Sequence, residues 1–109
     1  MVGSSLMEDV IRKRTARRRQ IATTSVAHLM DQLRGDGVDV VVVGSLATGK
    51  FRAHSDVDLL VRSDVDRSLR ARIESIVAES LRGTGIPYDL IFAVDLKADR
   101  LKEFEHDLV

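Results

Sequence analysis

The stretch from Gly44 to Val61, GSLATGKFRAHSDVDLLV, constrains the chain more than any other. Upstream of it, Val38, Val40, Val41, Val42 and Val43 form an apolar run that ends at Gly44-Ser45. Downstream, Asp56 and Asp58 open a second apolar run, Leu59-Leu60-Val61. Short β-branched runs bounded by turn residues read as buried strands. Side chains alternate faces along a strand, so Asp56 and Asp58 point one way and Val57 the other. Their Cα atoms then stand roughly 6–7 Å apart. Both carboxylates can converge on Mg²⁺, which takes oxygen ligands.

A length of 109 residues suits one small core, so a single domain over residues 1–109 is expected, with residues 1–8 frayed or disordered. The chain has no cysteine, which excludes disulfides and thiolate metal sites. No apolar run approaches a membrane span and no leader pattern opens the chain, so a cytoplasmic location with no membrane partner is expected. A formal net charge of zero argues against a protein that coats nucleic acid by bulk charge. The charge is uneven, however. Arg12, Lys13, Arg14, Arg17, Arg18 and Arg19 make a basic block, while the tail from Asp95 leans acidic. That block reads as a solvated helix end, or as a grip for RNA phosphates or an acidic partner surface. No aromatic residue interleaves with it for base stacking.

Ala22, Val26, Leu29, Met30 and Leu33 give one face of a helix from about Arg14 to Leu33, and Gly35-Asp36-Gly37 stops it. A first strand is expected at about Val38–Val43, and a short helix and turn within Leu46–Phe51. The second strand is then Asp56–Val61. Leu69, Ile73, Ile76, Val77 and Leu81 mark a second helix, and Ile86–Val94 a third strand with Pro87 at its start. Asp95 or Asp99 could cap a last helix carrying Leu101, Phe104 and Leu108. Ser55-Asp56-Val57-Asp58 recurs as Ser63-Asp64-Val65-Asp66, directly before the second helix. Position gives the second copy a helix-capping role and leaves the first for chemistry.

Asp89 lies near the start of the third strand as Asp56 and Asp58 lie near the start of the second. The helix between those strands makes a crossover long enough for parallel pairing, which brings all three aspartates to one sheet edge. Gly44-Ser45 reaches that edge if the first strand runs antiparallel to the second. The expected fold class is therefore α/β (α+β), a small mixed sheet of about three strands flanked by helices. Carboxylates at one edge facing a glycine-rich turn suit metal-assisted phosphoryl chemistry. Glycine admits close backbone approach, and the turn's N–H groups can hold phosphates. Lys50 and Arg52 are candidate phosphate contacts, although a surface cation is more often solvated. His54 reads as an exposed loop residue, Tyr88 as packed in the core, and His28 and His106 have no partners at metal-ligand spacing.

These residues resemble a family. Gly-Ser, ten intervening residues and Asp-x-Asp before an apolar run are similar to the signature of the DNA polymerase β-like nucleotidyltransferases. The fuller pattern GS-x-A-x-G-x5-SD-x-D-L resembles the minimal nucleotidyltransferase (MNT) branch. It is met here by Gly44, Ser45, Ala47, Gly49, Ser55, Asp56, Asp58 and Leu59. The resemblance implies Asp56, Asp58 and Asp89 as catalytic residues and metal ligands for two Mg²⁺ ions. Gly44, Ser45, Gly49, Lys50, Arg52 and Ser55 become nucleotide-binding candidates. It implies transfer of a nucleoside monophosphate, AMP from ATP, with release of pyrophosphate. It further implies an antitoxin that modifies a hydroxyl on a partner HEPN-type toxin or other partner chain, and it admits a homo- or hetero-oligomer. The charge and aromatic content above argue against a nucleic-acid partner. Relatives often carry Arg before the second glycine, and Thr48 stands there in this chain. Two alternatives remain: an inactive MNT-fold antitoxin that neutralises by binding, and a transferase acting on a small molecule with a partner subunit.

Overall fold

The computed structural model describes residues 6–52 and 54–96. The helix expected at 99–108, with His106, lies outside the described residues. In chain order the elements are α1 (Leu6–Gly35), β1 (Val40–Val43), α2 (Gly44–Ala47), β2 (Val57–Val61), α3 (Arg67–Leu81) and β3 (Tyr88–Phe92). A 3₁₀ turn, Ala93–Asp95, follows β3.

The sheet has the order β1-β2-β3, with β1 antiparallel to β2 and β2 parallel to β3. This is the mixed sheet that the sequence pattern predicts. One face carries Val40, Val42, Val57, Leu59, Val61, Leu90 and Phe92. They pack against Ala22, Val26, Leu29, Met30 and Leu33 of α1 and against Ile73, Val77 and Leu81 of α3. Alternation sends Val41, Val43, Asp58, Leu60, Asp89 and Ile91 to the other face. Val43 and Leu60 are fully buried there as well.

α1 begins at Leu6, about eight residues before the expected start. Its first turns pair the acidic Glu8 and Asp9 with the helix's positive end and continue in arginine and lysine, which are strong helix formers. Its stop is well defined. Gly37 sits at φ +80, Gly37 N–H donates to the Arg34 carbonyl and Val38 N–H to the Leu33 carbonyl, each at 3.0 Å. Those two bonds make a Schellman cap that turns the chain into β1 with Val38 against Leu33. Asp66, the last residue of the second Ser-Asp-Val-Asp copy, caps α3 by accepting from Leu69 N–H at 2.7 Å. Ser63 of the same copy accepts from Asp39 N–H at 2.7 Å.

Two expectations need correction. The first and third strands are shorter than the apolar runs suggest, because Val38 is spent on the helix cap and the chain leaves β3 for the 3₁₀ turn at Ala93. Tyr88 is exposed rather than packed in the core, since it stands at the first position of an edge strand.

Candidate active site

β2 is the central strand, and its first half gathers the acidic residues. Val57 is fully buried, so its neighbours Asp56 and Asp58 turn to the opposite face. Val57 N–H donates to the Pro87 carbonyl at 3.0 Å, which ties the start of β2, one residue after Asp56, to the chain entering β3. Pro87 thus gives a carbonyl to the sheet where it has no N–H to give. Asp58 is the direct partner of Asp89 across the parallel pair and of Val43 across the antiparallel one. Directly opposed residues share a face, so Asp58 and Asp89 stand side by side at about one interstrand spacing of ~4.8 Å. Asp58 is half-buried beside buried Val43 and Leu60, while Asp56 and Asp89 are exposed.

Gly44 completes the cradle. It has φ +72, a conformation that side-chain-bearing residues rarely adopt. A Cβ placed on it would collide with the Asp58 carboxylate. The backbone therefore lies directly against that carboxylate only because residue 44 is glycine. Ser45 follows in α2, and no side chain caps the helix. The Ser45 carbonyl accepts from Lys50 N–H at 2.8 Å, and Thr48 Oγ1 donates to it at 3.4 Å.

The loop from Thr48 to Asp56 is held from within and from α1. Phe51 is its anchor, with a fully buried ring in the core. Ser55 Oγ accepts from Arg52 N–H at 2.8 Å, and Ser55 N–H donates to the Arg52 carbonyl at 3.1 Å. The Ser55 hydroxyl is thus committed to closing a turn. Arg19 donates to the carbonyls of Phe51 at 3.1 Å and Gly49 at 3.5 Å, and Arg18 reaches the Ser55 carbonyl at 3.5 Å. Two members of the basic block therefore brace the loop that leads into Asp56. Sequence reading missed them, since 30 to 37 residues separate each arginine from its partner. Lys50, Arg52 and His54 are exposed.

The structure thus brings Gly44, Asp58 and Asp89 together, with Ser45 and Asp56 adjacent in sequence. Gly49, Lys50, Arg52 and Ser55 belong to the flanking loop. Among the described residues, no three acidic, histidine or cysteine side chains close on one point as a ready metal cage. Mg²⁺ is commonly held by only one or two carboxylates, with substrate phosphates and waters completing its shell. The donor set is all hard oxygen, and Gly44 makes room for the Asp58 carboxylate where a Cβ would otherwise stand. Among the described residues, clefts run along α1, between α1 and α3, beside α2 at Leu46 and Ala47, and between α1 and the Thr84–Ile86 segment before β3.

The fold and this carboxylate cradle define a nucleotidyl-transferring domain. The chain belongs to the nucleotidyltransferase domain family, whose description matches residues 25–108. No curated protein and no solved structure matches it. Among the described residues, no helix is long and apolar enough to cross a membrane.

Proposed function

We propose that this nucleotidyltransferase moves AMP from ATP to a hydroxyl on a partner protein, as the antitoxin of an HEPN/MNT pair. The observation that carries the chemistry is the Gly44–Asp58–Asp89 arrangement, where bare backbone meets the Asp58 carboxylate and Asp89 stands opposite Asp58 on the next strand. The antitoxin role is supported by the GS-x-A-x-G-x5-SD-x-D-L pattern.

In this reading Asp56 and Asp58 would hold the nucleotide-bound Mg²⁺, and Asp89 takes the proton of the attacking hydroxyl on a carboxylate oxygen. The hydroxyl oxygen bonds to the α-phosphorus and the bond to pyrophosphate breaks. Bound Mg²⁺ supplies neutralisation of charge on the attacking and leaving oxygens. Gly44 and Ser45 lay their backbone along the phosphates. The half-buried setting of Asp58 strengthens each of these interactions relative to open water. Lys50 and Arg52, exposed on the adjoining loop, are the cations available where Thr48 replaces the relatives' arginine.

A second reading draws on Thr48 itself. Its hydroxyl is turned back onto the Ser45 carbonyl and offers the triphosphate no positive charge, which favours a binding-only antitoxin. Intact mass of the co-encoded partner, mixed with this protein, Mg²⁺ and ATP, separates the two. An AMP increment that is absent with Asp56→Ala/Asp58→Ala supports transfer. A tight complex with no mass change supports inhibition by contact.

A further inference from the structure

α1 packs on the hydrophobic core from Ile21 onward. Its outer half carries Arg12, Lys13, Arg14 and Arg17. Of these, only Arg12 is ion-paired among the described residues, to Asp9 at 2.6 Å. Arg14 and Arg17, with Arg18, line a cleft of about 310 Å³ whose other walls are Ile21, Thr84 and Ile86. The position of this cleft is informative. Ile86 stands two residues before β3, next to the Pro87 carbonyl that pairs with Val57. Arg18 reaches the Ser55 carbonyl, one residue before Asp56. The cleft thus opens at the same end of the sheet as Asp56 and Asp89.

Its chemistry is equally specific. Three guanidinium groups present planar forks that match carboxylates, over two isoleucines that accept apolar side chains. The Nε of Arg18 is buried with no hydrogen-bond partner. A buried orphan donor is unfavourable, and an anion entering the cleft can supply the missing acceptor. Further out on α1, Leu6, Met7 and Ile11 are 80%, 65% and 53% exposed, adding apolar surface to the outer part of the helix. α1 has no Phe, Trp or Tyr on which a base could stack, and the net charge of the whole chain is zero. These features favour polypeptide over nucleic acid.

We propose that the Arg14–Arg17–Arg18 cleft is the acceptor subsite, and that the acceptor is an acidic, amphipathic polypeptide segment of another protein. This rests on the reading that the modified hydroxyl belongs to a partner chain. Carboxylates of the segment engage the arginines, its apolar residues lie on Ile21 and Ile86, and its hydroxyl is presented around the sheet end to Asp56 and Asp89.

Fluorescence anisotropy with the full chain tests this directly. The probe is a short fluorescein-labelled amphipathic peptide of Glu, Leu and one Tyr. Comparison ligands are the same peptide with Gln for Glu and a labelled oligouridylate RNA. The acidic peptide should bind in a salt-sensitive way. Arg14→Gln/Arg17→Gln should weaken it about tenfold or more, from two lost charge contacts of about 0.7 kcal/mol each. Arg14→Lys/Arg17→Lys should restore part of the binding. Equal binding of the Gln peptide, wild-type affinity in Arg14→Gln/Arg17→Gln, or tighter binding of the RNA would overturn the proposal. Anisotropy reads binding alone, and intact mass of the same mixtures with Mg²⁺ and ATP reads transfer separately, so peptide binding without any AMP increment would sink the proposed function and leave the cleft standing. Transfer that persists undiminished in Arg14→Gln/Arg17→Gln would sink the cleft alone.

Discussion

Gly44 meets two demands at once, a left-handed backbone and the absence of a Cβ against Asp58, and no other residue meets both. Gly44→Ala should therefore cost roughly 1–3 kcal/mol in stability from backbone strain. It should also reduce transfer far more than that loss alone implies, because the new methyl displaces the Asp58 carboxylate. Chemical denaturation and a transfer assay on the folded fraction would check the two effects separately. Asp58→Asn makes the complementary case. It preserves shape beside Gly44 and removes the charge, so the fold should persist while transfer falls by about two orders of magnitude or more. Retained activity in Asp58→Asn would remove Asp58 from the chemistry. At this scale much was legible in the sequence, since glycine before the loop and the Asp-x-Asp alternation are local patterns with local causes. Arg18 and Arg19 were not legible. Their role is set by carbonyls on a loop distant in sequence, and nothing in a run of arginines says which ones turn inward.

The elements divide according to how strongly their own residues define them. α3 has a periodic apolar face and a side-chain cap, and its boundaries followed from both. Asp66→Ala removes the acceptor for Leu69 N–H and should destabilise the protein by about 1 kcal/mol, read as a shift of the urea midpoint. The loop between α2 and β2 is defined differently. It has no regular pattern, and its shape depends on one buried ring and on arginines from α1. Phe51→Ala should cost about 3–5 kcal/mol, the range for emptying a core aromatic site. Should the urea midpoint barely move, the loop does not depend on that anchor. The outer half of α1 illustrates the opposite limit. Its residues favour helix intrinsically but offer no apolar period toward a core, so sequence pattern alone placed the helix start too late.

At the scale of the whole molecule, α3 is tied at two places to the chain on either side. Arg72 pairs with Asp36 in the turn after α1 at 2.8 Å, and Arg70 pairs with Asp95 after β3 at 2.7 Å. Arg70 also lies over the Phe92 ring, 4.1 Å from its centre. The hydrogen bond from Arg70, aided by its charge and opposed by partial desolvation, holds the Asp95 carboxyl below its ordinary value. A carboxyl with a depressed folded-state pKa adds stability that is fully present above its unfolded-state value of about 4. That stability is lost as pH falls through the lower folded-state value. Both groups are exposed, so the contribution is small and screened by salt. Wild type should melt slightly higher than Asp95→Asn at neutral pH and low ionic strength. The gap should close as the pH is lowered below about 4, and should also shrink at neutral pH in high salt. Melting temperatures across that range for both proteins decide the matter. A gap that stays constant with pH would mean that Asp95 acts through packing, and that the tie between α3 and the end of β3 rests on Arg70 stacked over Phe92.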